Sequence, residues 1–168
     1  HVDEPVVVVL GAPGAGKSTL LRRYELDNAK SALNSEDTSA APFTFFVSLN
    51  HYRPVHYGDP LPLPLDWLTG QWQQIDAELP TLEDLLTQGR MTFLLDALNE
   101  MPYAKNEALS YWRDFALSLA QANTGNKAIF SCRSLDYSAT LSSNAFPVPQ
   151  LRIELLTDAQ VEQFIMHY

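Results

Sequence analysis

Cysteine is almost missing from this chain: Cys132 is the single one in 168 residues. No internal disulfide can form, and nothing points to an oxidising compartment, so a reducing cytoplasm is the expected setting. Basic residues are scarce too. Lys and Arg number 11 against 20 Asp and Glu, for a formal net charge of -9, and no cluster of basic side chains occurs. That balance argues against nucleic acid as a direct partner. A phosphate-bearing ligand would have to be held by a local positive site, because the general field is negative. Long apolar runs are lacking as well: Val6 to Leu10 is the longest near the N-terminus. It falls far short of the roughly 20 residues that cross a bilayer and lacks the layout of a secretory signal. No membrane partner is expected of this domain.

What is present describes a globular chain, 46% hydrophobic and 18% charged, with some apolar surface expected to lie against partners. Its length suits one domain, residues 1–168, with one substantial core. The chain starts at His1, and Tyr168 interrupts an amphipathic pattern, so both ends are expected to be cut from a longer protein.

Pro5 to Leu10 reads as a parallel strand buried on both faces, followed by a glycine-rich turn. Leu20, Leu21 and Tyr24 predict an amphipathic helix from Lys17 to about Asp27, with 28–41 as a surface connection. Phe43 to Leu49 is the second strand, and the proline-rich stretch from Arg53 to Pro64 excludes regular helix. Trp67 to Leu79 carries helical spacing, and Thr81 caps a short helix that stops at Gly89. Met91 to Asp96 is the third strand, Asn106 to about Ala122 a helix stopped by Gly125, and Lys127 to Ser131 the fourth strand. Leu151 to Leu155 alternates as a fifth, before a helix capped at Thr157 and Asp158 and running through Val161, Phe164 and Ile165. The glycine-rich turn after the first strand, Gly11 to Ser18, fits G-x-x-x-x-G-K-[ST], and with the alternation of strands and helices the expected fold is α/β: a three-layer P-loop NTPase with a mostly parallel five-stranded sheet in the order 5-1-4-3-2, flanked by helices. Ligands of such sheets bind at the C-terminal ends of the strands.

At one such end stands Gly11-Ala12-Pro13-Gly14-Ala15-Gly16-Lys17-Ser18, followed by Thr19. It matches the P-loop pattern G-x-x-x-x-G-K-[ST] between a buried strand and a helix N-terminus. The glycines let successive N–H groups point inward, and the helix dipole adds positive potential. Lys17 is expected on the β- and γ-phosphates of ATP or GTP, and Ser18 on Mg2+. A carboxylate at a neighbouring strand end completes the metal site, and Asp96 closes the run Thr92 to Leu95 without another charge. Glu100, four residues on, is the candidate general base, with a solvated loop acid as the plain alternative. Arg133 sits just beyond the fourth strand, placed either to sense the γ-phosphate or to serve as a packing or surface arginine.

His51 and His56 read as surface residues, since metal binding needs more ligands at defined spacing. Trp67, Trp72 and Trp112 read as core. Cys132 reads as a buried small hydrophobe, because no His or Asp motif accompanies it as a nucleophile.

The segments Gly11 to Arg22, Phe93 to Pro102, Ile129 to Ser134 and Leu151 to Ile165 together resemble NACHT domains, especially bacterial ones, of the signal-transducing STAND class of P-loop ATPases. The resemblance implies an ATP-driven switch that controls self-oligomerisation and releases a fused effector, often in innate immunity or antiphage defence. It makes Ala97 the typical small residue after the Walker B aspartate and places the acidic pair of the family at Asn99 and Glu100. Asn99 departs from the commoner acid, which shifts the catalytic burden to Glu100. The family's lid and winged-helix segments would follow Tyr168. Two rivals stand beside the switch. A small-molecule kinase would need an arginine-rich lid, and no segment offers one. A scaffold that binds without turnover has Asn99 as its one hint. A GTPase is disfavoured, because Asn126-Lys127 continues as Ala128-Ile129 without an aspartate to read guanine.

Overall fold

Apolar runs of six or seven residues become parallel strands here because both of their faces are covered, so neither face needs polar side chains. The computed structural model describes residues 4–35, 41–56, 58–76, 78–102, 105–137, 141–143, 146–154 and 157–166. Among these, β1 (Val6–Gly11), β2 (Phe43–Ser48), β3 (Met91–Asp96), β4 (Lys127–Arg133) and β5 (Gln150–Arg152) form one sheet in the order β2-β3-β4-β1-β5. Every pairing is parallel. This is the expected order, read from the other edge. Its consequence is that all five C-terminal ends share one edge, where register aligns Ser48 with Asp96 and Gly11 with Arg133.

The helices are α1 (Lys17–Leu33), α2 (Pro64–Gln73), α3 (Leu82–Thr87), α4 (Lys105–Ala122) and α5 (Asp158–Met166). α1 runs six residues past the expected Asp27. The segment 28–33 contains Ala29, Lys30, Ala32 and Leu33, which favour helix strongly enough to outweigh Asn28 and Ser31. On that helix Leu21 is buried but Leu20 is 48% exposed, so the apolar stripe is narrower than its spacing suggests. α2 starts at Pro64, whose fixed φ and missing N–H suit a first helical turn, and stops before Ile75 and Leu79. Thr81 caps α3 by accepting from the Asp84 N–H at 3.1 Å, and Thr157 Oγ1 accepts from the Gln160 N–H at 3.4 Å ahead of α5. β5 is a short, exposed edge strand; of its expected span, Leu155 lies outside the described residues, as do the side chains of Val161 and Phe164 in α5.

Alternation along the strands sorts the core into two layers. Val9, Leu94 and Ile129 pack with Leu21 of α1 on one face. Val8, Phe45, Phe93 and Phe130 pack on the other with residues of α2, α3 and α4. The second layer is bound by edge-to-face ring pairs: Trp112 meets Tyr52 at 5.3 Å, Phe115 at 5.5 Å and Phe130 at 6.0 Å. Trp67 joins through Tyr52 at 5.3 Å, and Trp72 through Phe45 at 5.1 Å. Each such pair is worth about 0.5–1.5 kcal/mol beyond the area it buries. The three tryptophans are core residues, as their spacing suggests.

At the edge opposite the C-terminal strand ends, two turns lock together. Asn126 is buried; it accepts from the Met91 N–H at 2.9 Å and donates to the Leu86 carbonyl and to Thr124 Oγ1, each at 2.7 Å. This structural role at the head of β4 keeps Asn126 away from any ligand at the other edge. Gly89, with φ 68°, lies so close to the second turn that a Cβ on it would sit 1.7 Å from the Thr124 carbonyl oxygen. Gly89→Ala is therefore expected to destabilise the domain by about 2 kcal/mol or more, through left-handed strain and a backbone clash. Urea unfolding measures it; a change below about 0.5 kcal/mol would show that the turns separate freely.

Candidate functional site

At the C-terminal edge the chain leaves β1 through a loop whose backbone strongly favours glycine at two points: Gly14 has φ 76° and Gly16 φ 87°. Ala15 N–H donates to the Ala12 carbonyl at 3.1 Å, closing the turn. Gly16 stands at the N-cap of α1, no side chain caps that end, and the first turn carries no carboxylate. The first N–H groups of the helix and its dipole thus face the loop concavity, a setting that suits an anion. Lys17 Nζ donates to the carbonyls of Gly11 and Ala12, both at 2.9 Å, which holds its ammonium beside the loop.

The loop borders a cavity of about 430 Å³ lined by Pro13, Gly14, Gly16, Lys17, Ser18 and Thr19. From the strand ends and the turn after β3 come Ser48, Asn50, Asp96, Ala97, Asn99, Glu100, Ser131 and Arg133. The structure thus brings Lys17, Ser18, Asp96, Glu100 and Arg133 together, although they span more than a hundred residues of sequence. Of the loop positions, Gly11, Ala12 and Ala15 do not line this cavity; Ala12 and Pro13 border a smaller one of about 250 Å³ with Arg133 and Asp136.

Asp96 ends β3 and is buried, at 8% exposure. Ser18 Oγ donates to its Oδ2 at 2.8 Å, and Ser131 Oγ donates to its Oδ1. A hydroxyl and a carboxylate oxygen in contact beside a phosphate-binding loop are the hard donors that magnesium takes, so these residues fit the ion. Ser131 and Asn50 went unnoticed in the sequence. For Ser131 a signal existed: a serine inside a fully buried parallel strand must have a hydrogen-bond partner. For Asn50, in a short 3-10 turn after β2, there was none.

Beyond Asp96, Ala97 adopts a left-handed conformation at φ 63° and opens a 3-10 turn, Leu98–Glu100. That turn carries Glu100 back over the sheet edge, where its Oε1 accepts from an Arg133 Nη at 2.7 Å. Arg133 is the last residue of β4, not a residue beyond it. Both side chains are about two-fifths exposed, so the pair contributes at most about 1 kcal/mol and separates readily. Asn99 Oδ1 accepts from the Arg133 N–H at 3.2 Å, and its Nδ2 donates to Asp136 Oδ2 at 3.1 Å. An aspartate in its place could not donate to Asp136, which gives the departure at this position a physical reason. His51 and His56 are both exposed, and no cluster of three or more His, Cys, Asp or Glu side chains that could hold a metal ion occurs among the described residues.

The NACHT domain family model matches residues 5–167. The chain belongs to the NACHT family of P-loop NTPases. A Walker-type ATPase of Pyrococcus abyssi has the same fold, with a TM-score of 0.54 at 13% identity. The similarity covers 98% of this NACHT chain and 53% of the other, so the chain spans about half the length of that structure. Among curated proteins none matches. No helix among the described residues of the NACHT domain is long and apolar enough to cross a membrane.

Cys132 lies behind Arg133 and is buried, at 2% exposure. Burial, with Asp136 adding repulsion, pushes its thiol up to about 11 from 9.0. That rise leaves roughly 100-fold less thiolate near pH 8 than in the unfolded chain, and iodoacetamide is expected to label the native domain correspondingly slowly. The raised value also means that stability is unaffected by Cys132 below pH 9, where the thiol is protonated in both states, and falls as pH climbs from about 9 to about 11, where the unfolded chain releases the proton and the folded one keeps it. Labelling at the same rate in native and denaturing buffer would contradict this.

Proposed function

We propose that this NACHT domain binds ATP with magnesium, hydrolyses it slowly, and acts as the nucleotide switch of a STAND-type signalling protein. The observation that carries the reading is the convergence on one cavity of Lys17, the Ser18–Asp96 contact and the Glu100–Arg133 pair. The loop N–H groups and Lys17 Nζ would bind the β- and γ-phosphates, and Ser18 Oγ and Asp96 Oδ2 would hold the metal. Magnesium, when bound, supplies neutralising charge on the phosphate oxygens.

Glu100, freed from Arg133, accepts the proton of the attacking water as the water oxygen bonds to the γ-phosphorus and the bridging oxygen departs with ADP. Arg133, once free of Glu100, turns its donors to the γ-phosphate. Glu100 must leave Arg133 before it can act as the base, a step that costs at most about 1 kcal/mol for so exposed a pair; the slow turnover in this reading rests on the family resemblance. Self-association, fused effector and sensor domains, and a role in bacterial immunity belong to the same proposal and rest on the family resemblance. A scaffold without turnover has one observation in its favour, since a Glu100 that never leaves Arg133 cannot take a proton.

Calorimetric titration with ATP, ADP and GTP in magnesium tests the reading. ATP and ADP are expected to bind, with GTP weaker. Lys17→Ala should remove binding. Glu100→Gln should retain ATP affinity within about threefold and lower hydrolysis at least about a hundredfold. Equal loss of binding in both variants would undo the assigned roles, and tight binding with no phosphate release from the wild-type chain would favour the scaffold.

A further inference from the structure

Ser131 is fully buried on β4, one strand away from the P-loop, and nothing in the hydrolytic scheme calls for it. Its position is set by the β3–β4 ladder, whose final pair is Leu95 with Phe130. One residue further, the side chain takes over from the backbone: Ser131 Oγ accepts from the Ala97 N–H at 2.9 Å. The same oxygen donates its only proton to Asp96 Oδ1. One hydroxyl therefore ties down both the carboxylate and the left-handed residue that follows it.

This leaves the two oxygens of Asp96 unequal. Oδ1 is committed to a donor buried in the sheet. Oδ2 meets Ser18 Oγ at 2.8 Å at the head of α1. A carboxylate free to rotate would present either oxygen and accept the metal in several poses. One anchored at Oδ1 offers a single oxygen in a single direction, at no ordering cost when the metal arrives. The left-handed backbone at Ala97 is unfavourable for a residue with a Cβ and persists only where its surroundings enforce it. The Ser131 acceptor supplies part of that enforcement, so loss of the hydroxyl would also loosen the turn that carries Glu100.

We propose that Ser131 is a positioning residue for the magnesium site: it presets Asp96 so that Oδ2 alone faces Ser18 and the metal. The inference rests on the reading of the cavity as a magnesium-nucleotide site and adds a residue to it. Its test is the ratio of ADP affinity in magnesium to that in EDTA, measured by calorimetry for the wild-type chain, Ser131→Ala and Ser131→Thr. Ser131→Ala is expected to lower that ratio at least about tenfold while changing affinity in EDTA less than about twofold, because the phosphate loop is untouched. Ser131→Thr, which keeps the hydroxyl, should restore the wild-type ratio. A wild-type ratio in Ser131→Ala, or an equal loss in magnesium and EDTA, overturns the positioning role and leaves the nucleotide reading standing. A wild-type chain whose affinity ignores magnesium overturns both.

Discussion

The carboxylate of Asp96, held at both oxygens by serine hydroxyls, is the contact through which the site coheres. Ser18 belongs to the helix after the first strand and Ser131 to the fourth strand, so three segments distant in sequence meet on one side chain. The meeting is possible only because β1, β3 and β4 run parallel and end together. A slip of one residue between β3 and β4 would turn Ser131 to the other face of the sheet and leave a buried carboxylate short of a donor. The large aromatic layer beneath, packed by edge-to-face contacts, keeps that register from slipping. Packing energy in one part of the domain is thus what holds polar geometry in another.

A second polar system sits above the first and behaves differently. Glu100, Arg133, Asn99 and Asp136 are linked in a chain of contacts, but their side chains reach solvent, so water can replace each bond at small cost. The buried clamp is built to stay and the exposed chain to rearrange. A binding pocket whose floor is rigid and whose rim is exchangeable can recognise phosphate through the floor while its rim responds to what is bound.

Much of this was legible in the residues. Met91 to Asp96 reads as a strand to the residue, since the five uncharged positions Met91 to Leu95 are bounded by Arg90 and by the carboxylate of Asp96. The P-loop reads from its glycines, because few other residues take the backbone angles found at Gly14 and Gly16. What did not read was whatever depends on tertiary neighbours. The last turns of α1 hide behind Asn28 and Ser31, whose preference for loops is real but local. The ion pair of Glu100 with Arg133 joins residues 33 positions apart, and no spacing rule connects a 3-10 turn to the end of another strand. Ser131 left a trace, as a hydroxyl amid Phe130 and Cys132, but its partner became evident only with the strand order.

The aromatic layer carries a practical consequence. All three tryptophans lie in the core on the face of the sheet packed by α2, α3 and α4, at 8%, 5% and 0% exposure for Trp67, Trp72 and Trp112, and none lines the cavity beside the P-loop. The intrinsic fluorescence of the domain is consequently an optical gauge of whether the sheet and those helices remain packed, insulated from direct quenching by whatever occupies the cavity. A spectral shift on adding a ligand would therefore report rearrangement transmitted through the sheet, and an unchanged spectrum would be compatible with a fully occupied site.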